Sequence, residues 1–219
     1  MDASHQNLIY LLTQASAYSA VVPMLAGLWR WSRLGPAQRL LVGLLVFIAI
    51  NQLVATLLWE LWNIPNMPLY HGYVAVESVL LVLIYRRLLD DSLWRKLLPW
   101  LLPLGPLGAF VDGQWLDGWL ELPTLGRGLE AAVMLGCASV YFVQLGKRAK
   151  VRYLDREPGF WITCGIMLYF PANMLLFLFN NYLHNVEDSV IYALWASHAV
   201  VNVLLYASYL PALLCQKSR

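Results

Sequence analysis

Long apolar runs and short charged gaps alternate along the whole chain. The runs cover about 8–29, 40–59, 69–85, 97–111, 126–145, 160–182 and 190–214. A helix needs roughly 20 apolar residues to cross the hydrocarbon core of a bilayer, and most of these runs reach that length. The pattern therefore predicts an all-α membrane protein, a bundle of seven transmembrane helices forming one domain over residues 1–219. The fourth run is short and carries Pro99, Pro103 and Pro106. Each proline lacks an amide hydrogen and clashes with the preceding turn, so this span is expected to be broken or bent and to lean on its neighbours. Pro23 and Pro171 are expected to bend the first and sixth spans more gently.

Composition agrees with that reading. Of 219 residues 60% are hydrophobic and 13% charged, with mean hydropathy +0.58; soluble chains carry about 25% charged residues. No segment outside the runs is long enough for a separate domain. The charges also set an orientation. Arg30, Arg33 and Arg39, then Arg86, Arg87, Arg95 and Lys96, then Lys147, Arg148, Lys150, Arg152 and Arg156, and finally Lys217 and Arg219 fall on one side. These are 14 of the 15 basic residues, and only Arg127 lies opposite. The positive-inside rule places that basic side in the cytoplasm, with the N-terminus outside and the C-terminus inside, which requires an odd number of spans. The expected location is the inner (plasma) membrane. MDASHQ has no basic n-region, so a cleaved signal peptide is not expected. Cys137 and Cys164 lie inside apolar runs and Cys215 at the end of the last, so no disulfide framework is implied.

Polar residues at membrane depth are the candidates for function. Glu77 is central in the third span, Asn51 and Gln52 in the second and Asn173 in the sixth. Glu130 lies three residues after Arg127 and can pair with it along the same helix face. In the seventh span Tyr192, Trp195, His198, Asn202, Tyr206 and Tyr209 recur at three- and four-residue steps, forming one stripe. Tyr70, Tyr73 and Glu77 answer from the third span, and Tyr169, Asn173, Phe177 and Asn180 from the sixth. These faces predict an interior pocket between spans three, six and seven, lined by rings and a few hydrogen-bonding groups. The candidate ligand-binding or proton-relay residues are Glu77, His198, Asn202, Tyr73, Asn173, Glu130, Asn51 and Tyr206, with His198 the expected partner of Glu77. The amides, taken singly, serve equally as hydrogen-bonded ties between helices, worth about 1 kcal/mol each. An intramembrane acid is costlier, and its presence points to pairing or to work. Outside the core, the spacing of Trp115, Leu116, Trp119 and Leu120 predicts an interfacial helix over 112–122.

Several chemistries find no support. No lysine lies within a run to hold retinal, and no two histidines are four apart as a zincin helix requires. His5, His71 and His184 could meet near the outer mouth beside Glu60, Glu130 or Glu187, but their spacing matches no recognised metal site. Neither a cofactor nor a metal is expected. Ser197 and His198 are adjacent, so their side chains diverge and cannot act as a nucleophile and its base. The basic loops suit anionic lipid rather than nucleic acid.

Tyr73, Glu77 and Tyr85 in the third span, PGFWITCGIMLYF (158–170) entering the sixth, Tyr182 leaving it, and LWASHAVVNVLLY (194–206) in the seventh resemble an uncharacterised family of small bacterial seven-helix membrane proteins. That resemblance implies topology and little chemistry. Three uses of the interior fit the residues. The first is a sensor or receptor-like module binding an apolar or amphipathic small molecule or a partner helix, with a separate signalling partner. The second is a small proton-coupled transporter using Glu77, Glu130 and His198. The third, an intramembrane lipid-modifying enzyme, ranks last because no nucleophile is evident, and no catalytic residue is assigned.

Overall fold

The computed structural model describes residues 3–90, 92–147, 154–179 and 187–215. Asn180, Tyr182 and His184, and the basic residues Arg148, Lys150, Arg152, Lys217 and Arg219, lie outside the described residues. All the regular structure described is helical: α1 (Ala3–Tyr18), α2 (Val21–Trp29), α3 (Pro36–Trp62), α4 (Met67–Leu88), α5 (Ser92–Leu101), α6 (Leu104–Trp115), α7 (Thr124–Lys147), α8 (Pro158–Phe179) and α9 (Asp188–Leu214). Five stretches are long and apolar enough to cross a membrane, namely Leu11–Trp29, Pro36–Trp62, Met67–Leu88, Thr124–Lys147 and Ser189–Leu214.

Where the helices stop follows from local chemistry. The first apolar run is two helices rather than one gently bent one. Pro23 cannot bond the carbonyl of Ser19, and the helix breaks at Ser19–Ala20, where the Ser19 hydroxyl and amide both turn back to the Ser16 carbonyl. The fourth run breaks as expected, between Leu101 and Leu104. By contrast, α8 continues through Pro171. After α3, Asn63 adopts the left-handed conformation at φ 51° and the Ile64 amide returns to the Leu58 carbonyl, a C-terminal stop reinforced by Pro65. The expected interfacial helix over 112–122 does not form. The chain leaves α6 at Trp115 and turns through Gly118 at φ 89°, folding Trp119 back over Gly113 and His71. The helical spacing of its tryptophans loses to a glycine turn.

The helices close a ring. In turn α2 packs on α3, α3 on α4, α4 on α6 and α7, α7 on α8 and α8 on α9, and α9 meets both α1 and α2. Several contacts bring the basic segments to one end. Gln38 at the start of α3 donates to the Ala212 and Cys215 carbonyls at the end of α9 and accepts from the Gly35 amide. The Asp90 amide after α4 reaches Gln144 near the end of α7, and the Cys215 thiol meets the Asp155 carbonyl. Arg33, Arg39, Arg86, Arg87, Arg95, Lys96, Lys147 and Arg156 are exposed around this end.

Packing differs between the two halves of the ring. The fully buried side chains of α3 end at Ile48, and Leu41, Leu44, Leu45, Leu81, Ile84, Tyr85, Met134, Tyr141, Ile162 and Ala212 form a dense core toward the basic end. Toward the other end, α3, α9 and α1 present polar and half-exposed residues. Close packing there is provided by α6 against α7. A Cβ on Gly108 would stand 2.9 Å from the Gly126 Cα, and one on Gly126 would stand 2.9 Å from the Ala109 amide nitrogen. Small residues let these backbones touch. Gly108→Val is therefore expected to force α6 off α7 at a cost of about 1–3 kcal/mol. Gly136→Ala, with nothing near its added methyl group, should leave the melting temperature in lipid nanodiscs unchanged.

Candidate functional site

Arg127 is the centre of the polar interior. It lies one turn into α7, is 2% exposed, and makes four hydrogen bonds. Its Nη1 donates to Glu77 Oε2 on α4 at 2.6 Å and to Glu130 Oε2 on its own helix at 2.6 Å. Its Nε and Nη2 donate to the Tyr70 hydroxyl at 2.9 and 2.6 Å. The guanidinium also lies over Tyr73 and Phe177, at 5.2 Å from each ring centroid. Glu77 is completed by Tyr73, whose hydroxyl donates to Oε1 at 2.7 Å. Tyr70 and Glu77 sit seven residues apart on α4, two turns along one face, so a single arginine side chain can bridge both. Stacking of Tyr73 on Tyr70 and Phe47 holds the rings in place.

The base of α7 is equally defined. Asp112, fully buried at the end of α6, accepts the Leu125 and Gly126 amides at 3.2 and 2.7 Å, occupying unpaired donors of the first turn. His71, also buried, places one ring nitrogen 2.9 Å from the Ala109 carbonyl and the other 3.0 Å from that of Glu121. It is thus a tie between α4, α6 and the following loop. Among the described residues no group of three His, Cys, Asp or Glu is placed to hold a metal ion.

Beside Arg127 opens a cavity of about 770 Å³. Its walls come from α1 (Gln14, Ser16), α3 (Asn51, Gln52, Thr56, Trp59, Glu60), α4 (Tyr70, Tyr73) and α9 (Trp195, His198, Asn202, Tyr206), with Tyr169 of α8 and Arg127 of α7. The helix break at Ser19–Ala20 creates this space. It lets α2 pack on α3 while α1 leans on α9, and the cavity fills the gap left between α1 and α3. Asn202 fastens α1 by donating to the Ser16 hydroxyl at 2.9 Å. Asn173 donates to the Tyr169 carbonyl, so its Oδ1 accepts from His198 Nδ1 at 2.9 Å and leaves His198 Nε2 as an acceptor. The Asn51 and Gln52 amides line the cavity and bond no other described residue.

The structure thus sorts the sequence candidates. Tyr73, Asn51, His198, Asn202 and Tyr206 line the cavity, whereas Glu77, Glu130 and Asn173 stand behind its wall. The Arg127–Glu130 pair forms as the i,i+3 spacing implies. His198 does not partner Glu77: it turns to Asn173 within a ring of Tyr169, Phe177 and Trp195, while Arg127 takes the acid. The pocket expected between spans three, six and seven draws much of its wall from α3 and α1. Sequence reasoning missed Arg127 as the centre, although its isolation on the acidic side marked it. It also missed α1, whose small polar residues carry no distinctive spacing.

Comparison of the chain with protein-family models, with curated proteins and with solved structures gives no match.

Arg127→Met should cost about 3–5 kcal/mol, because it strands a buried carboxyl that has lost its charge partner. Arg127→Lys should recover little, since one ammonium cannot form the fork that serves Tyr70, Glu77 and Glu130 together. Thermal melting of both variants in nanodiscs checks this.

Proposed function

We propose that the chain is a seven-span protein of the inner membrane, N-terminus outside and C-terminus in the cytoplasm, working as a sensor or receptor-like module that binds an amphipathic small molecule. In this reading α5 and α6 together make the broken fourth span and α8 the sixth. The one-sided distribution of basic residues supports the orientation. The resemblance of the third, sixth and seventh spans to small bacterial seven-helix proteins supports the count.

One observation carries the binding role. A cavity lined by Trp59, Tyr70, Tyr73, Tyr169, Trp195 and Tyr206 also presents the unpartnered amides of Asn51 and Gln52. Primary amides facing a hole at membrane depth are costly unless something meets them. The occupant is inferred to be uncharged at its polar end. Arg127 is already engaged by two carboxyls and a tyrosine, and the one other charged side chain among the described lining residues, Glu60, is exposed. Donors and acceptors from Asn51 and Gln52, with the acceptor His198 Nε2, suit a hydroxyl- or amide-bearing head group, and the rings suit an apolar body. The gap between α1 and α3 offers a route from the lipid. Occupancy would then press on α1, and the basic end would present the output to a cytoplasmic or membrane partner.

Trp59 and Trp195 provide the readout. In nanodiscs, a brominated alkyl glycoside is expected to quench their fluorescence saturably, and brominated alkyl sulfonate and alkylammonium only weakly. Asn51→Leu should weaken glycoside binding roughly fivefold, the loss of one hydrogen bond. Quenching that never saturates, or that ignores Asn51→Leu, would reject the cavity as a binding site.

A further inference from the structure

The Arg127 cluster contains one guanidinium and two carboxyl groups, and they are not equivalent. Both oxygens of Glu77 are occupied, Oε1 by the Tyr73 hydroxyl and Oε2 by Arg127. Glu130 is 1% exposed, and only its Oε2 meets Arg127. Its Oε1 is buried with no hydrogen-bond partner among the described residues. Glu77 has the environment of a carboxylate; Glu130 does not.

Among the described residues nothing nearby corrects the charge. The other titratable groups around the cluster among the described residues are Tyr70 and Tyr73 from α4, Tyr169 from α8, and Tyr206 and Tyr209 from α9. On the α6 side Asp112 is committed to the Leu125 and Gly126 amides. His198 donates from Nδ1 to Asn173 and does not touch either acid. With both acids ionised the cluster would hold one negative charge in excess, in a region where stranded charge is far costlier than a stranded hydroxyl. Two carboxyls served by one guanidinium nitrogen satisfy this when one of them holds a proton.

We propose that Glu130 is a proton-binding site: its carboxyl carries one proton at neutral pH, while Glu77 is the ionised partner of Arg127. The proton is held on the buried Oε1 side, one helical turn from Arg127 and behind the cavity wall. Because Arg127 faces both the proton site and the cavity, proton release adds a negative charge beside any occupant, so the two binding events are linked. The site itself stands on hydrogen-bond geometry and does not depend on what the cavity holds.

Infrared difference spectroscopy of the protein in nanodiscs, in H2O and D2O, reads the proton directly. Wild type should show the carbonyl stretch of a protonated carboxyl at neutral pH, shifted by deuterium and lost in alkali. Glu130→Gln should remove that band and melt within about 2 °C of wild type, because an amide replaces a neutral acid. In Glu77→Gln the band should also vanish, since Glu130 must then ionise to balance Arg127. The double variant leaves Arg127 without a counter-charge and should melt roughly 10 °C or more below either single variant. No band in wild type, a band that survives Glu130→Gln, or a Glu130→Gln protein as unstable as the double variant would each overturn the proposal.

Discussion

The burial of the Arg127 guanidinium is the constraint on which the rest of the interior depends. A charge in the middle of an apolar ring of helices survives only when every side of it is met, and here the partners come from two helices. Tyr70 and Glu77 on α4 and Glu130 on α7 converge on one fork, with Tyr73 and Phe177 stacked around it. That requirement sets the rotation of α4 against α7 more tightly than apolar contact can, because leucine packs similarly over a range of rotations and a four-bonded guanidinium does not. The supporting structure is aimed at the same point. Asp112 holds the first turn of α7, and the glycine contact between α6 and α7 keeps the helix carrying Arg127 close to its neighbour.

Around this cluster the bundle divides into two halves with different tasks. The half at the basic end is dense, with Tyr85, Tyr141, Leu45 and Ile162 fully enclosed and Gln38 stapling α3 to α9. The opposite half keeps its polar residues half-exposed around a hole. Sites are commonly located where stability is lowest, since binding groups cannot also be fully satisfied by one another. A densely packed floor and a more open mouth lie on either side of the charged layer. The break at Ser19–Ala20, set by Pro23, is what parts α1 from α3 at this end.

The cavity and the Arg127 cluster meet at one side chain. Arg127 lines the cavity on one face and holds Glu77 and Glu130 on the other. Its guanidinium charge is already met within the protein, which turns what would be an anion site into a wall of hydrogen-bonding groups and rings. The same cancellation makes a single proton on Glu130 matter, because it decides whether the Arg127 cluster behind the wall is neutral or negative.

Much of this was legible in the sequence, and the boundary has a physical origin. Helix positions, the broken fourth run, the gathering of Arg33, Arg86, Arg95 and Arg156 at one end and the Arg127–Glu130 pair all follow from apolar length, proline chemistry and i,i+3 spacing, which act within a few turns of the chain. The partner of Glu77 did not follow. His198 was the expected partner and Arg127 was matched only to Glu130; the rotation of each helix about its axis, settled by packing, turned His198 to Asn173 and Arg127 to both acids. The cavity was hidden for the same reason, since it is a space between α1 and α3 and spacing along one helix says nothing of its distance from another. The chain by itself determined most of the helical segments, the break in the fourth run and which end is basic, but neither the break at Ser19–Ala20 nor the turn at Gly118. The tertiary structure alone decided who faces whom, because that depends on side chains from different helices meeting across 25 to 50 residues of chain.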